Sequence, residues 1–367
     1  MSTTDYNGYI VDGDLTTKNS GFSRWGFATK GGKDYFVKEF LSPVYPEDTT
    51  MFTEKQLKSK IDGCLKFEAD KRRLYREINE ASNGNIEGIQ DFFRCGTKYY
   101  IITDKVIAMK LEPKNIAALP YEQRELLCKI LAHSMMSLHK KNVVHADIKW
   151  DNILFAQSHG GRKIVAKLID FDNSFFSNEP PEEPDDLNVD WVYCAPEAYL
   201  FIDEEDVVLD EKIDVYAMGV IFHQIMTGEM PKFSDEYQYL CDAQLNGDTV
   251  KLSDDLNPQM CALIESMLEK EPEKRADSET VFKTLCPQRV ESVECEEHTE
   301  REERIVHAAR EESIVHSTHT GSSKLITTFK IPEMMAPDEE WVPSTTTEKT
   351  PKPADSYDPF FAPAGEL

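Results

Sequence analysis

His145, Asp147, Lys149 and Asn152 fall within eight residues, and Asp170 and Asp172 follow after two apolar runs at 152–155 and 164–169. Gly160 and Gly161 lie between the runs and suit a turn, so the spacing predicts a β-hairpin. A hairpin returns its two ends to one mouth, where Asp147, Asn152 and Asp170 would meet beside Lys149. Two carboxylates and an amide near an ammonium group suit magnesium-bound phosphate better than a lone acid–base pair. Magnesium takes hard oxygen ligands and shares them with substrate phosphates. The plainer alternative is a set of turn-forming residues between strands.

The segment HADIKWDN, followed by IDFD, resembles the catalytic loop and metal-binding segment of protein kinases. That resemblance implies ATP and Mg2+ as cofactors, with Mn2+ as an alternative. It implies Asp147 as catalytic base, Lys149 as a steadying charge on the transferred phosphoryl group, and Asn152 and Asp170 as metal ligands. Lys149, two residues after the base, is the choice of the Ser/Thr-specific class. Other stretches are similar to the same family in the same order. Residues 19–28 resemble the glycine-rich loop, with Gly21 and Gly26 outermost, Ser23 replacing the middle glycine, Trp25 at the tip and Ala28 following. Glycine there lets backbone amides approach phosphate without a Cβ in the way. Tyr193 to Glu197 contains the APE motif, Asp214 opens an apolar helix as a brace for the catalytic loop, and Arg275 is the expected buried partner of Glu197.

Positioning these groups requires a scaffold that the patterning outlines. Residues 8–40 read as strands and turns, with Lys38 in the apolar strand 35–40, where a kinase needs a lysine on the nucleotide phosphates. Apolar residues at helical spacing (Ile61, Leu65, Leu74, Ile78) predict a helix over about 54–82. Glu68 is the expected partner of Lys38 from that helix, with Glu77 and Glu54 as alternatives. Strands at 89–95 and 98–106 turn at Gly96; the resemblance then implies that Thr103 takes the gatekeeper place and that Asp104 to Val106 form the adenine-binding hinge. A helix over 121–140 packs an apolar side beneath the catalytic loop. The implied fold is α+β, a bilobal protein-kinase fold: a small β-rich N-lobe with hinge (8–106), a larger helical C-lobe (107–287), and an acidic Ser/Thr/Pro-rich, mostly disordered tail (288–367).

The 367 residues suffice for two lobes and a sizeable core. A net charge of -26 argues against nucleic acid or an anionic membrane as partner. The eight cysteines form no CxxC pair, which disfavours structural zinc and fits reduced thiols in a cytoplasmic protein. No basic-plus-apolar leader and no run of 18 apolar residues suggests export or a membrane span. In the tail, residues 301–307 recur nearly as 310–316, too few copies for a solenoid. Trp341, Phe360 and Phe361 are candidate docking anchors there, and Thr345 to Thr347 with Thr350 are candidate phosphate acceptors.

Three departures qualify the resemblance. Ala146 stands where most kinases carry an arginine that pairs with activation-loop phosphate, and 179–186 packs five acids and three prolines into an exposed loop with no regular element. Loop phosphorylation is therefore not expected to switch the enzyme on. Asp172 replaces the glycine after Asp170-Phe171, and Asp190 replaces a threonine near Asp147 and Lys149. The reading is a Ser/Thr protein kinase acting on protein substrates, with basic residues near the phosphosite favoured by Asp151 and the acidic run. The alternatives are a catalytically silent nucleotide-binding scaffold and a small-molecule kinase.

Overall fold

The structure is a computed structural model that describes residues 3–18, 23–47, 50–158 and 163–287. Gly21, the Gly160–Gly161 turn and every expectation on the tail after 287 lie outside the described residues.

The N-lobe is a six-stranded antiparallel sheet in the order β1-β2-β3-β4-β6-β5. Its strands are β1 (Thr3–Tyr6), β2 (Tyr9–Asp12), β3 (Ser23–Lys30), β4 (Lys33–Phe40), β5 (Ile89–Cys95) and β6 (Lys98–Asp104). The sheet begins before residue 8 because Asn7-Gly8, both at positive φ, forms a two-residue hairpin turn between β1 and β2. Gly31-Gly32 does the same between β3 and β4, where Lys30 pairs with Lys33. Cross-strand partners share a face, so Lys38 lies on the side that carries Trp25, Phe27, Phe36 and Phe40.

The long helix α1 (Glu54–Ala81) starts at a capping box in which Thr53 and Gln56 satisfy each other's backbone. Cys64, Leu74, Tyr75, Ile78 and Ala81 are its buried face. Leu65, expected on that face, is exposed because the buried stripe runs one residue behind it.

In the C-lobe, α3 (Tyr121–His139) packs against α5 (Lys212–Thr227) and beneath residues 143–168, α2 (Pro113–Ala117) lies on α5, and α4 (Pro196–Ile202), α6 (Leu240–Leu245), α7 (Pro258–Met267) and α8 (Ser278–Leu285) surround them. Every residue of α5 from Ile213 to Met226 is buried, so this helix is the post on which the lobe is assembled. Gly228, at φ 79°, ends it in a left-handed cap. The short strand β7 (Val143–Val144) pairs with β10 (Phe175–Phe176), and β8 (Ile153–Gln157) pairs with β9 (Ile164–Leu168) in the expected hairpin. The acidic run is not wholly irregular: Pro184–Asp186 makes one 3-10 turn, begun by proline's fixed φ.

Candidate active site

The stretch between β7 and β8 hangs from a single buried carboxylate. Asp214, in the first turn of α5, accepts the backbone N–H groups of His145 (2.7 Å) and Ala146 (2.9 Å) and meets His139 Nε2 at 3.0 Å. These bonds fix Ala146 at φ 64°, a left-handed conformation costly for a residue with a Cβ. His145 accepts the Asp147 N–H at Nδ1 and lies 3.0 Å from the Ile169 carbonyl at Nε2. Only the neutral Nε2–H tautomer serves both, and burial lowers its pKa in agreement. Phe171 packs on the same ring at 4.7 Å. His145 therefore joins the loop before β8 to the segment after β9.

The turn that follows brings Asp147, Lys149 and Asn152 together. Lys149 Nζ lies 3.0 Å from Asp147 Oδ2, and Asn152 Nδ2 donates to the Asp147 carbonyl (2.8 Å) and to Oδ2 (3.0 Å). The amide's two donors are thus committed, and its orientation is set. Ile169 N–H bonds the Asn152 carbonyl at 3.0 Å, which closes the hairpin mouth and brings Asp170 alongside. Burial pushes the Asp147 carboxyl up to about 7; Lys149 opposes the rise, while Asp170 and Asp190 add to it. Asp190 itself is raised by burial and sits within the field of Lys149, so it does lie close to the pair.

From the sheet above, Lys38 reaches down to Asp170 at 2.9 and 3.0 Å. Its second partner is Asp172, at 2.7 Å, and not a helix glutamate. Glu68, expected in that role, is turned to Arg72 at 2.8 Å, and Glu77 pairs with Arg76 and Lys141. Glu54 lies in the exposed first turn of α1. The residue of α1 that reaches this point lies nearly one turn further along the same face: it is Lys71, whose Nζ donates to the Asp172 carbonyl at 2.6 Å. Burial would discharge Lys38, but Asp170 and Asp172 override it and raise its pKa. Lys71, without a comparable carboxylate contact, is lowered by burial. Glu87 accepts the Asp170 N–H at 3.2 Å and helps hold Asp170 at φ 64°.

Magnesium and ATP find fitting groups here. Asn152 Oδ1 is buried and has no hydrogen-bond partner among the described residues, an acceptor left unmet in the same mouth that Asp170 enters. A hard cation on Asn152 and Asp170 would satisfy it. On the sheet, Trp25 stacks on Phe36 at 5.8 Å, and Phe27 meets both rings edge-on at 5.9 and 6.0 Å. This aromatic wall stands beside Lys38 and leads to Thr103, which pairs with Phe36 across β4 and β6. Thr103 is buried, Asp104 is ion-paired with Lys33 at 2.6 Å, and Val106 follows in the link to the C-lobe.

The loop residues fare differently from expectation. Ser23, at the start of β3, is buried on the Lys38 side. Trp25 is a strand residue, not a loop tip, and Gly26 and Ala28 point to the opposite face of the sheet by strand alternation. Ala28 belongs to the outer core with Tyr9, Val11, Leu15 and Val37. Gly26 is small because Leu15 packs over it; a Cβ there would lie 2.8 Å from Leu15 Cδ2. Contact of either residue with phosphate in the cleft would therefore have to run through backbone N–H groups. Sequence reasoning also missed Lys71, Glu87 and the Trp25–Phe36 stack; alternation from Lys38 along β4 would have found Phe36.

Below the site, Arg275 is fully buried and binds Glu197 through both terminal nitrogens at 2.5 and 2.9 Å, as expected. Above the activation segment, Arg73 of α1 clasps Glu179 bidentately and lies over the Phe176 ring at 4.4 Å.

Comparison with known proteins places these features in context. The family model described as Protein kinase domain matches residues 47–286, beginning after β4 and so leaving Lys38 outside the match. Among similar proteins, a probable myosin light chain kinase of Dictyostelium discoideum is 31% identical over 179 residues, 47% of this chain and 34% of that one. Calcium/calmodulin-dependent protein kinase type II of Caenorhabditis briggsae is 26% identical over 269 residues, 70% of this chain and 49% of its own. Serine/threonine-protein kinase TIO of Arabidopsis thaliana is 25% identical over 214 residues, 57% of this chain and 15% of its own. The matched segment thus spans less than half the length of each of these relatives.

Proposed function

Since the chain belongs to the protein kinase family, we propose that it transfers the terminal phosphate of ATP to serine or threonine hydroxyls of protein substrates. One observation carries this reading: Asp147, Lys149 and Asn152 from the stretch before β8, Asp170 from the segment after β9 and Lys38 from β4 converge from three separate segments, and Asn152 Oδ1 has no hydrogen-bond partner among the described residues. Magnesium held by Asn152 and Asp170 would neutralise charge on the nucleotide phosphates. Lys38 would contact those phosphates from above, and the aromatic wall with Thr103, Asp104 and Val106 would line the base. Asp147 would orient the incoming hydroxyl and accept its proton, with Lys149 beside it countering the charge of the transferred group. Placement and charge account for the chemistry, with no covalent intermediate.

Ser174 and Ser177 are the Ser/Thr residues between Phe171 and Glu197, and both hydroxyls are engaged. Ser174 donates to the His145 carbonyl at 3.1 Å, and Ser177 to Glu211 at 2.5 Å. The Arg73–Glu179 clasp supplies an inbuilt carboxylate where a phosphate could otherwise serve. These contacts support activity without loop phosphorylation. Asp151 and the acidic run at 179–186 support a preference for basic residues around the phosphosite. Seven free cysteines among the described residues fit a reducing, cytoplasmic setting. No helix among the described residues is long and apolar enough to cross a membrane.

The test is phosphate incorporation into protein with magnesium and ATP, compared with Asp147→Asn. Loss of about a hundredfold or more in the variant, with ATP binding retained, is the expected result. Equal incorporation by both proteins would overturn the assignment.

A further inference from the structure

Helix α1 presents a cation to the cleft where the Ser/Thr-kinase reading calls for a carboxylate. Lys71 Nζ donates to the Asp172 backbone carbonyl at 2.6 Å, and Asp172 Oδ2 lies 2.7 Å from Lys38 Nζ. The two ammonium groups are thus anchored at the two ends of one residue. Asp172 lies beyond the Asp170–Phe171 turn, and its side chain is 23% exposed while that of Lys38 is 9% exposed. It reaches inward from the cleft rim to a buried cation. Asp170 also touches Lys38, but on the reading above its oxygens serve the metal site. Asp172 has no other assigned work.

We propose that Asp172 is the positioning residue for Lys38: its side chain replaces the missing helix carboxylate, and Lys71 fixes its backbone to α1. The carboxylate stands on the residue after the Asp170–Phe171 pair, in place of a glycine, and the helix shows a lysine where a glutamate was expected. In this arrangement the carboxylate travels with the metal-binding segment, and the helix grips that segment through Lys71. Lys38 stays aimed at the phosphate site without an acidic residue on α1. The inference rests on Lys38 being the lysine that meets nucleotide phosphate.

The experiment compares ATP and adenosine binding, and KM for ATP against kcat, in the full chain and two variants. Asp172→Asn keeps the shape and removes the charge; Lys71→Glu/Asp172→Asn places a carboxylate back on α1. Asp172→Asn is expected to weaken ATP binding and raise KM for ATP by about tenfold or more, as for loss of a charge-assisted contact. Adenosine affinity, which does not involve the phosphates, should stay within about twofold and also shows that the variant is folded. The double variant should recover most of the ATP affinity. Unchanged ATP affinity in Asp172→Asn, equal loss of ATP and adenosine, or a double variant no better than the single would each overturn the proposal. Unmutated protein with no metal-dependent ATP affinity would instead overturn the kinase reading beneath it.

Discussion

Removing Glu197 should unfold this protein far more readily than its distance from the reacting groups suggests. Arg275 directs its five N–H groups to five acceptor contacts. Two go to Glu197, and the others to the carbonyls of Lys212 (2.8 Å), Glu269 (2.9 Å) and Lys270 (3.1 Å). Glu197→Ala leaves a fully buried guanidinium with two donors unmet and its charge unbalanced. Breaking one partner of a buried pair costs about 3–5 kcal/mol. At about 2–4 °C per kcal/mol for a domain of this size, the melting temperature should fall by about 6–20 °C. Arg275→Met strands the carboxylate and three carbonyls, so its cost should be at least as large. The double variant Glu197→Leu/Arg275→Met leaves no unpaired charge and should be less destabilised than the sum of the singles by several kcal/mol, roughly one pair's cost. Thermal and urea unfolding followed by circular dichroism measure all three. Singles within about 1 kcal/mol of the parent, or strict additivity in the double, would refute the reasoning.

Two further outcomes concern the reaction itself. Asp147, held up to about 7 chiefly by burial, must be ionised to take a proton, so kcat/KM should rise with pH and level off above about 7. Asp190 contributes to that rise, so Asp190→Asn should move the acid limb to lower pH; an upward shift would contradict the placement of that carboxylate. Ser174→Ala/Ser177→Ala should retain phosphotransfer within about fivefold, since it removes two local hydrogen bonds and no catalytic group. Abolished activity, with a normal melting curve, would mean that a loop phosphate is needed after all.

Legibility in the sequence followed chain proximity. The hairpin that gathers the candidate site was readable because Asp147, Lys149, Asn152 and Asp170 lie at the ends of two apolar runs that can pair in only one way. Asp214 and the Glu197–Arg275 pair were readable from a resemblance that spans the chain. The partner of Lys38 was not, because α1 holds many acids and a helix's rotation is fixed by packing. Glu68 and Lys71 stand three apart and share a face of the helix, so a shift of about one turn in where the helix meets the sheet is enough to present Lys71 where Glu68 was expected. At Gly26 the sequence left a second reason for glycine unseen: a Cβ there would lie 2.8 Å from Leu15 Cδ2, a packing demand that looks the same in sequence as room for a phosphate.

Trp25 gives the protein an optical reporter of its own. Its indole is stacked on Phe36, its Nε1–H is tied to the Lys18 carbonyl at 2.8 Å, and its strand partner is Lys38. Anything flat that slides against that wall changes the polarity and π-contacts around the indole. If nucleotide binds along that wall, as proposed, the emission of Trp25 should change on occupancy before any phosphate is transferred, and Trp25→Phe would separate that signal from the other three tryptophans.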